Sequence, residues 1–446
     1  MAIQSREDQI RVASKTGDLN AFQRLMGSLE PEDEEVIGRQ CLVLASANGH
    51  VEMVENLLRA GVAVDSTATN GWTALMAAAM SDRPGILTLL LNNGAQVDKQ
   101  RADGYSALLL ASEFGRLSAV KTLLDHNASV NLTNKEDWTP LMVAAQNGHS
   151  QVLTLLLAKK PHLNSQRRNK CTALYIASEH GHVQAASLLI DSGANIELAD
   201  HRGWTPLMAA AWKNHPNVAA LLLAKGAAIN KRQADGATAL YIACQHGHPE
   251  VARTLLDHNA AVDMPDKEGW SPLMASIKIG NIHVMKLLVE RGANVNRQHP
   301  TGASVLYLTC EIGNVEAAAY LLSHGASIEL ADNEHWTPLM CASWRGHASM
   351  VKLLLEKGAQ IDKQLPDKAT ALYLACEYGQ LNAVRTLIAH GASVNLPNEE
   401  FTTPLRIAEI KGHRNVVALL RQHGGRKLSP ICAYVNGVPF SMPWED

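Results

Sequence analysis

The sequence predicts an all-α solenoid of about 12–13 stacked helix–turn–helix units with β-turn fingers, curved and continuous as one domain. Three observations predict it. A Thr or Ser stands at residues 73, 106, 139, 172, 205, 238, 271, 304, 337, 370 and 403, one unvarying interval without insertion or deletion. Two glycines recur at fixed places within the copy, one between the helices and one after them. The residues between these marks follow helical spacing rather than strand alternation. A period of about 20–50 residues is the mark of a repeat architecture, because one such unit cannot bury its own apolar face and must stack on its neighbours.

Residues 200–230 illustrate the unit. Thr205 is placed to cap a helix, and Pro206 sits at its first position, where a missing N–H costs nothing. Leu207, Ala210 and Ala211 give that helix a small apolar face. The chain breaks near Asn214. A second helix carries Val218, Leu221 and Leu222 at helical spacing and ends at Gly226, in the left-handed conformation that glycine adopts cheaply. The terminating residue is Gly94, Gly193, Gly292, Gly325, Gly358, Gly391 and Gly424 elsewhere, and Asn127 and Asn259 in two copies. At Lys160 the following Pro161 is expected to stop the helix instead. The interhelix glycine is followed by His50, His149, His182, His248, His347 and His413, a repeat position with a capping or packing role.

The ends depart from the unit. Residues 1–29 read as an N-terminal capping half-repeat, with two short helices built on Ile10, Val12, Ala13, Phe22, Leu25 and Met26. The array runs over 30–426 and opens with an acidic stretch, EPEDEE at 30–35, expected to be a solvated loop. The unit at 403–424 carries Arg406, Lys411, Arg414 and Arg421, a more charged exterior that suits a C-terminal cap. In the tail, 427–446, Asn436-Gly437 lies between Tyr434-Val435 and Val438-Pro439-Phe440 and predicts a tight hairpin. Two roles stay open for it: a cover over the last repeat or a free partner-binding peptide.

Composition narrows the function. The net charge of -3 argues against a general nucleic-acid or membrane-surface binder. No window reaches the roughly 18 apolar residues of a membrane span, and the N-terminal sequence has no apolar signal region, so a cytosolic setting is expected. Seven cysteines include no CxxC pair. Cys244, Cys310 and Cys376 share a repeat position with Ser112 and Ser178, and read as small packing residues. There is no phosphate-binding glycine loop, H-E-x-x-H or G-x-S-x-G. The expectation is a non-enzyme with no cofactor and no metal.

Asp200-His201-Arg202-Gly203, Thr205-Pro206-Leu207, Ala210-Ala211 and Gly226-Ala227 resemble the ankyrin repeat family, whose unit is a D-x-x-G turn, T-P-L-H-x-A-A, G-H and L-L-x-x-G-A. The resemblance covers about residues 40 to 426. One departure is systematic: the histidine of T-P-L-H is replaced in every copy by Met, Tyr or Leu. In the family that histidine supports hydrogen bonds near the helix start, so those bonds must be lost or supplied otherwise. The resemblance implies a scaffold that binds protein partners without catalysis. It extends equally to eukaryotic regulators and to bacterial proteins delivered into host cells.

A second period, twice the first, overlies it. In one type of copy a Trp precedes the Thr or Ser (Trp72, Trp138, Trp204, Trp270, Trp336), with Met76, Met142, Met208, Met274 and Met340 four residues on. In the other, Tyr175, Tyr241, Tyr307 and Tyr373 hold the later position, with Leu109 in the first copy. Glu113, Glu179, Gln245, Glu311 and Glu377 follow four residues further on. The Met and Tyr rows are expected to pack as a ladder in place of the missing histidines, and the competing reading of them is a ligand groove.

By resemblance, the residue before the Thr and those seven and eight after it lie on the concave side. The last two positions hold Trp212, Trp344, Phe114, Tyr378, His180, His246 and the Glu series. Aromatic residues among charges suit binding hot spots, so the candidate partner-binding residues are Trp72, Trp138, Trp204, Trp270, Trp336, Trp212, Trp344, Glu113, Glu179, Phe114 and Tyr378. The competing reading stacks each periodic Trp flat on the neighbouring turn beneath a Lys or Arg. The expected function is a monomeric protein-interaction scaffold that binds neither nucleic acid nor membrane. The alternative is a structural spacer whose contacts lie at its ends or tail.

Overall fold

A computed structural model of the chain describes residues 6–27, 31–428 and 444–445. Among them are twenty-six α-helices in thirteen consecutive pairs. The other regular structure among the described residues is a short 3-10 turn at Thr69–Gly71, an isolated bridge between Gln298 and Ser304, and one antiparallel pairing of Lys427–Leu428 with Trp444–Glu445. The all-α helical-repeat architecture expected from the periodicity is therefore observed. The chain divides into two compact units, 1–229 and 230–446. In each, the first helices of successive pairs lie side by side in one layer and the second helices in another.

Local chemistry sets each element. At the Thr or Ser of each of the eleven copies, the side-chain oxygen accepts the backbone N–H three residues on; Thr205 takes that of Met208 at 3.3 Å. A cap of this kind contributes about 1 kcal/mol, and here it recurs with the period. The helix it starts, Pro206–Trp212, is buried from Pro206 to Ala211, so small residues are needed on nearly every side. The second helix, Pro216–Ala224, buries Val218, Ala219 and Leu222 and gives its other face to solvent.

The carbonyls at the end of each first helix have no partner within the helix. The residue after the interhelix glycine, or after Asn214 where that residue takes the glycine's place with φ of 60°, reaches back to supply one. The Nε2 atoms of His149, His182, His215, His347 and His413 lie 3.0, 2.9, 3.0, 3.1 and 2.9 Å from the carbonyl oxygens of Glu113, Gln146, Glu179, Glu311 and Glu377, each in the preceding copy. Arg116 and Gln380 donate in the same way to Met80 and Trp344, while the shorter Asn281 donates to the carbonyl of the interhelix glycine itself, Gly247. The imidazoles lie over the glycines. A Cβ on Gly115, whose φ is +67°, would stand 2.7 Å from Nδ1 of His149. Gly115→Ala is therefore expected to destabilise by about 1–3 kcal/mol. Urea unfolding measures that loss, and an undisturbed midpoint would refute the packing argument.

His215 makes this arrangement sensitive to pH. Burial holds its imidazole below the ordinary 6.5, against the raising effect of its bond to Glu179, and His180, His182 and Lys213 add to the lowering. The folded state thus binds fewer protons than the unfolded one as pH falls below neutrality. The contribution of the neutral ring is complete above about 6.5 and is lost as pH falls through the folded value. His215→Gln should narrow the drop in urea midpoint between about pH 7.5 and 5.5, because Gln380 already fills the equivalent role without titrating.

The doubled period has a physical basis in two kinds of joint. From each copy of the Tyr type (Leu109 in the first) to the copy after it, the fingers are joined by a backbone bond. The N–H of Lys135, His201, Lys267, Asn333 and Glu399 donates to the carbonyl of Asp103, Asn169, Asp235, Thr301 and Asp367. The Tyr hydroxyls strengthen the same joints. Tyr175 donates to Asp200 Oδ2 at 3.3 Å, Tyr241 bonds Asp266, and Asn398 donates to the Tyr373 hydroxyl at 3.3 Å. These tyrosines stand where the repeat pattern places its histidine, and they are buried, as are Met76, Met142, Met208, Met274 and Met340. Burial pushes the Tyr373 hydroxyl up to about 12, with Glu377 adding to the rise.

Three of the other joints, from the copies of Trp72, Trp138 and Trp270 onward, use stacking. Arg101 lies over Trp72, Arg167 over Trp138 and His299 beside Trp270, each reaching back to the preceding finger.

Three expectations are corrected. The acidic stretch at 30–35 is not a loop from Pro31 onward: it opens the helix Pro31–Asn48, where carboxylates favour the positive end of the helix dipole. Lys160 does not leave helix termination to Pro161; it adopts the left-handed conformation itself, with φ of 52°. Phe22 and Met26 are buried in the first helix pair, but Val12 is 48% exposed and gives no core contact. The predicted hairpin at Asn436-Gly437 lies outside the described residues. The six described cysteines, Cys244, Cys310 and Cys376 among them, are buried.

Candidate partner-binding surface

The first helix is buried over most of its length, Arg406 and the part-buried Tyr307 apart, so in the copies from Thr73 to Thr403 positions seven and eight after the cap emerge together on one face. The turn residue before the cap joins them. In the copy beginning at Thr205, Asp200 Oδ1 accepts the N–H groups of Arg202 and Trp204, both at 2.9 Å, and this carboxylate turn aims the indole at the same face. Asn134, Asp266 and Asp332 hold Trp138, Trp270 and Trp336 in the same way.

Within 1–229, the ring of Trp204 meets that of Trp212 edge to face at 5.6 Å. Arg202 covers Trp204 at 4.6 Å and Lys213 covers Trp212 at 3.6 Å. Asp200 is buried beneath, accepting from Arg202 Nε at 2.9 Å. Trp72 and Trp138 stand apart from that cluster, each half-buried under the arginine of the next finger, at 4.8 and 3.8 Å. Phe114 is 45% exposed. Glu113 and Glu179 are half-buried. Burial raises the Glu113 carboxyl above its ordinary range, with Arg101 opposing.

Within 230–446, three aromatic residues join. Trp336 meets Trp344 at 5.7 Å, and Trp344 meets Tyr378 at 5.9 Å, both edge to face. Arg345 lies 4.1 Å over Trp344 and pairs with Glu311 at 2.6 Å, while Lys411 pairs with Glu377 at 3.4 Å. Tyr378 is 51% exposed, and Ile312, at the same repeat position two copies earlier, is 46% exposed. Trp270 has Lys278 on its ring at 4.6 Å and His299 at 4.8 Å.

These groups form no metal cluster and no nucleophile–base pair. No set of three or more His, Cys, Asp or Glu among the described residues could hold a metal ion. What the face offers is large, half-exposed apolar area bordered by paired charges, the composition of a protein contact.

Comparison with protein families bears on the architecture. The family model for ankyrin repeats, built on three copies, matches residues 10–101, 85–167, 159–233, 228–299, 292–365 and 360–429. The chain belongs to the ankyrin repeat family. Ankyrin repeats are in general protein–protein interaction modules, and the matches cover nearly the whole array. No curated protein matches the chain. No helix among the described residues is long and apolar enough to cross a membrane.

The ankyrin array contains functional candidates that sequence reasoning did not single out. Lys278, Tyr241 and Ile279 line a cavity beside Trp270, and Ile312 is exposed in the next copy. Lys278 was legible by register, since it stands two copies from both Trp212 and Trp344. The closure of Trp204 on Trp212 was not, because edge-to-face contact depends on how adjacent fingers and helix ends are spaced.

Proposed function

We propose that this ankyrin array is a protein-interaction scaffold that grips a segment of a partner protein on the surface carrying the aromatic clusters. The observation that carries this is the row Trp336–Trp344–Tyr378. It is large, rigid and half-exposed, and the charges beside it are already paired within the array. Such a surface loses little side-chain freedom on binding and gives contact area at low cost. Arg345 and Lys411, with their glutamates, form a rim that sets register rather than affinity. The monomeric state and the cytosolic setting belong to this proposal.

A spacer whose contacts lie in the tail is the second reading. It is favoured by the anchoring of residue 427 to the last repeat, where Lys427 pairs with Glu409 at 2.9 Å and Thr403 Oγ1 donates to the carbonyl of Arg426 at 2.8 Å. One experiment separates the two. Crosslinking pull-downs compare the full chain with a Trp212→Ala/Trp344→Ala variant and with a chain ending at Arg426, circular dichroism confirming that all three fold. Loss of a partner with the Trp pair alone supports the scaffold. Loss on truncation alone supports the tail.

A further inference from the structure

Seven residues after the cap, the Trp-type copies carry Met80, Gln146, Trp212, Lys278 and Trp344, so a lysine stands between two tryptophans. Trp344 fills the space beside its periodic tryptophan by packing edge-on against Trp336. Lys278 instead lays its stem along Trp270, with Nζ 4.6 Å from the ring centre. A cavity of about 250 Å³ remains, lined by Tyr241, Gln245, Trp270, Ala275, Lys278 and Ile279. That is below the roughly 300–1,000 Å³ of a small-molecule site and is the scale of a large side chain.

The charges change at the same place. Glu113, Glu179, Glu311 and Glu377 occupy a position held here by Gln245. Two of those glutamates pair with a cation in the next copy, Glu311 with Arg345 and Glu377 with Lys411. The corresponding residues here are Gln245 and Ile279, so both members of that ion pair are replaced by uncharged side chains. Lys278 is the added charge, and no carboxylate pairs with it among the described residues. The cavity thus has an aromatic floor, from Tyr241 and Trp270, and an ammonium at its wall. Ile279 at 50% and Ile312 at 46% exposure extend the apolar surface into the next repeat.

We infer that this cavity is a specificity pocket for an acidic, apolar peptide segment: one large aliphatic or aromatic side chain enters it, and an adjacent carboxylate of the partner pairs with Lys278. The inference rests on the scaffold reading and names the partner chemistry of its face. Charge complementarity selects this occupant. An exposed ammonium beside desolvating aromatic surface selects an anion, and the apolar floor requires that the anion be attached to a hydrophobic group. A partner carboxylate at this wall would complete the ion pair that Gln245 and Ile279 leave out.

The test is selection of a phage-displayed random-peptide library on the immobilised full chain. Recovered peptides are then synthesised with a fluorescent label and titrated by anisotropy. Wild type is compared with Lys278→Glu, Lys278→Trp and Trp344→Ala, with thermal melts confirming folding. Lys278→Trp installs the residue that the same register already accommodates at 212 and 344, so a folded variant is expected. The inference predicts peptides with a large apolar residue beside Asp or Glu. Their affinity should fall at least about tenfold with either Lys278 variant, and by a similar factor when the peptide carboxylate is changed to its amide. Peptides that bind Lys278→Trp undiminished but are lost with Trp344→Ala overturn the pocket and leave the scaffold reading standing. Peptides lacking acidic residues, indifferent to Lys278→Glu, also overturn it. A library that yields no binder to the array overturns both.

Discussion

Asp200→Ala is expected to lower the stability of the 1–229 unit by about 3 kcal/mol. The carboxylate is buried and has four partners: the N–H groups of Arg202 and Trp204, Arg202 Nε and the Tyr175 hydroxyl. Alanine leaves the buried phenol without its acceptor and removes the turn that aims Trp204. Burial already pushes the Tyr175 hydroxyl above its ordinary range, with Asp200 as the next contributor, so the neutral phenol persists as an unsatisfied donor. The effect should appear as a lower urea midpoint in the 1–229 unit, and cooperativity in a repeat array need not be two-state. Asp200→Asn is the control. Asn134 and Asn398 hold the equivalent position with Oδ1 still accepting from the turn, so the amide should recover most of the loss. Equal destabilisation by Ala and Asn would show that the turn bonds contribute little.

Trp344→Ala is expected to weaken partner binding by at least about 30-fold, with a thermal midpoint only a few degrees lower. Trp344 is the middle ring of three, so its removal exposes the edges of Trp336 and Tyr378 and releases Arg345 from its stacking position. Its half-exposed state limits the folding cost, because much of its area is in water before any partner arrives. Titration of a captured partner segment against folded wild type and variant measures the ratio. Unchanged affinity would place the contact elsewhere and favour the tail.

The aromatic candidates do not behave as one set. Trp72 and Trp138 each lie beneath the arginine of the following finger and serve a joint between repeats. Trp204, Trp212, Trp336, Trp344 and Tyr378 gather into clusters. The periodic tryptophans look alike in sequence because the same turn presents them. What each one meets depends on a residue at the end of its own helix or in the next copy, across a joint whose spacing no local pattern encodes.

The repeat and its caps were legible because they rest on local physics. A Thr or Ser at a helix start accepts an N–H within its own turn, and a glycine allows a left-handed end, wherever they occur. The constant spacing then requires stacking, and the alternation of Tyr and Trp from copy to copy was visible as a pattern. Only the tertiary structure decided what the alternation does. Backbone bonds between fingers and the Tyr175–Asp200 contact join one kind of interface, and at Trp72 and Trp138 an arginine laid over the indole joins the other. The pocket beside Lys278 was decided there too. A lysine in a tryptophan's place is a one-letter change in the chain, but a cavity exists only once neighbouring repeats fix the walls around it.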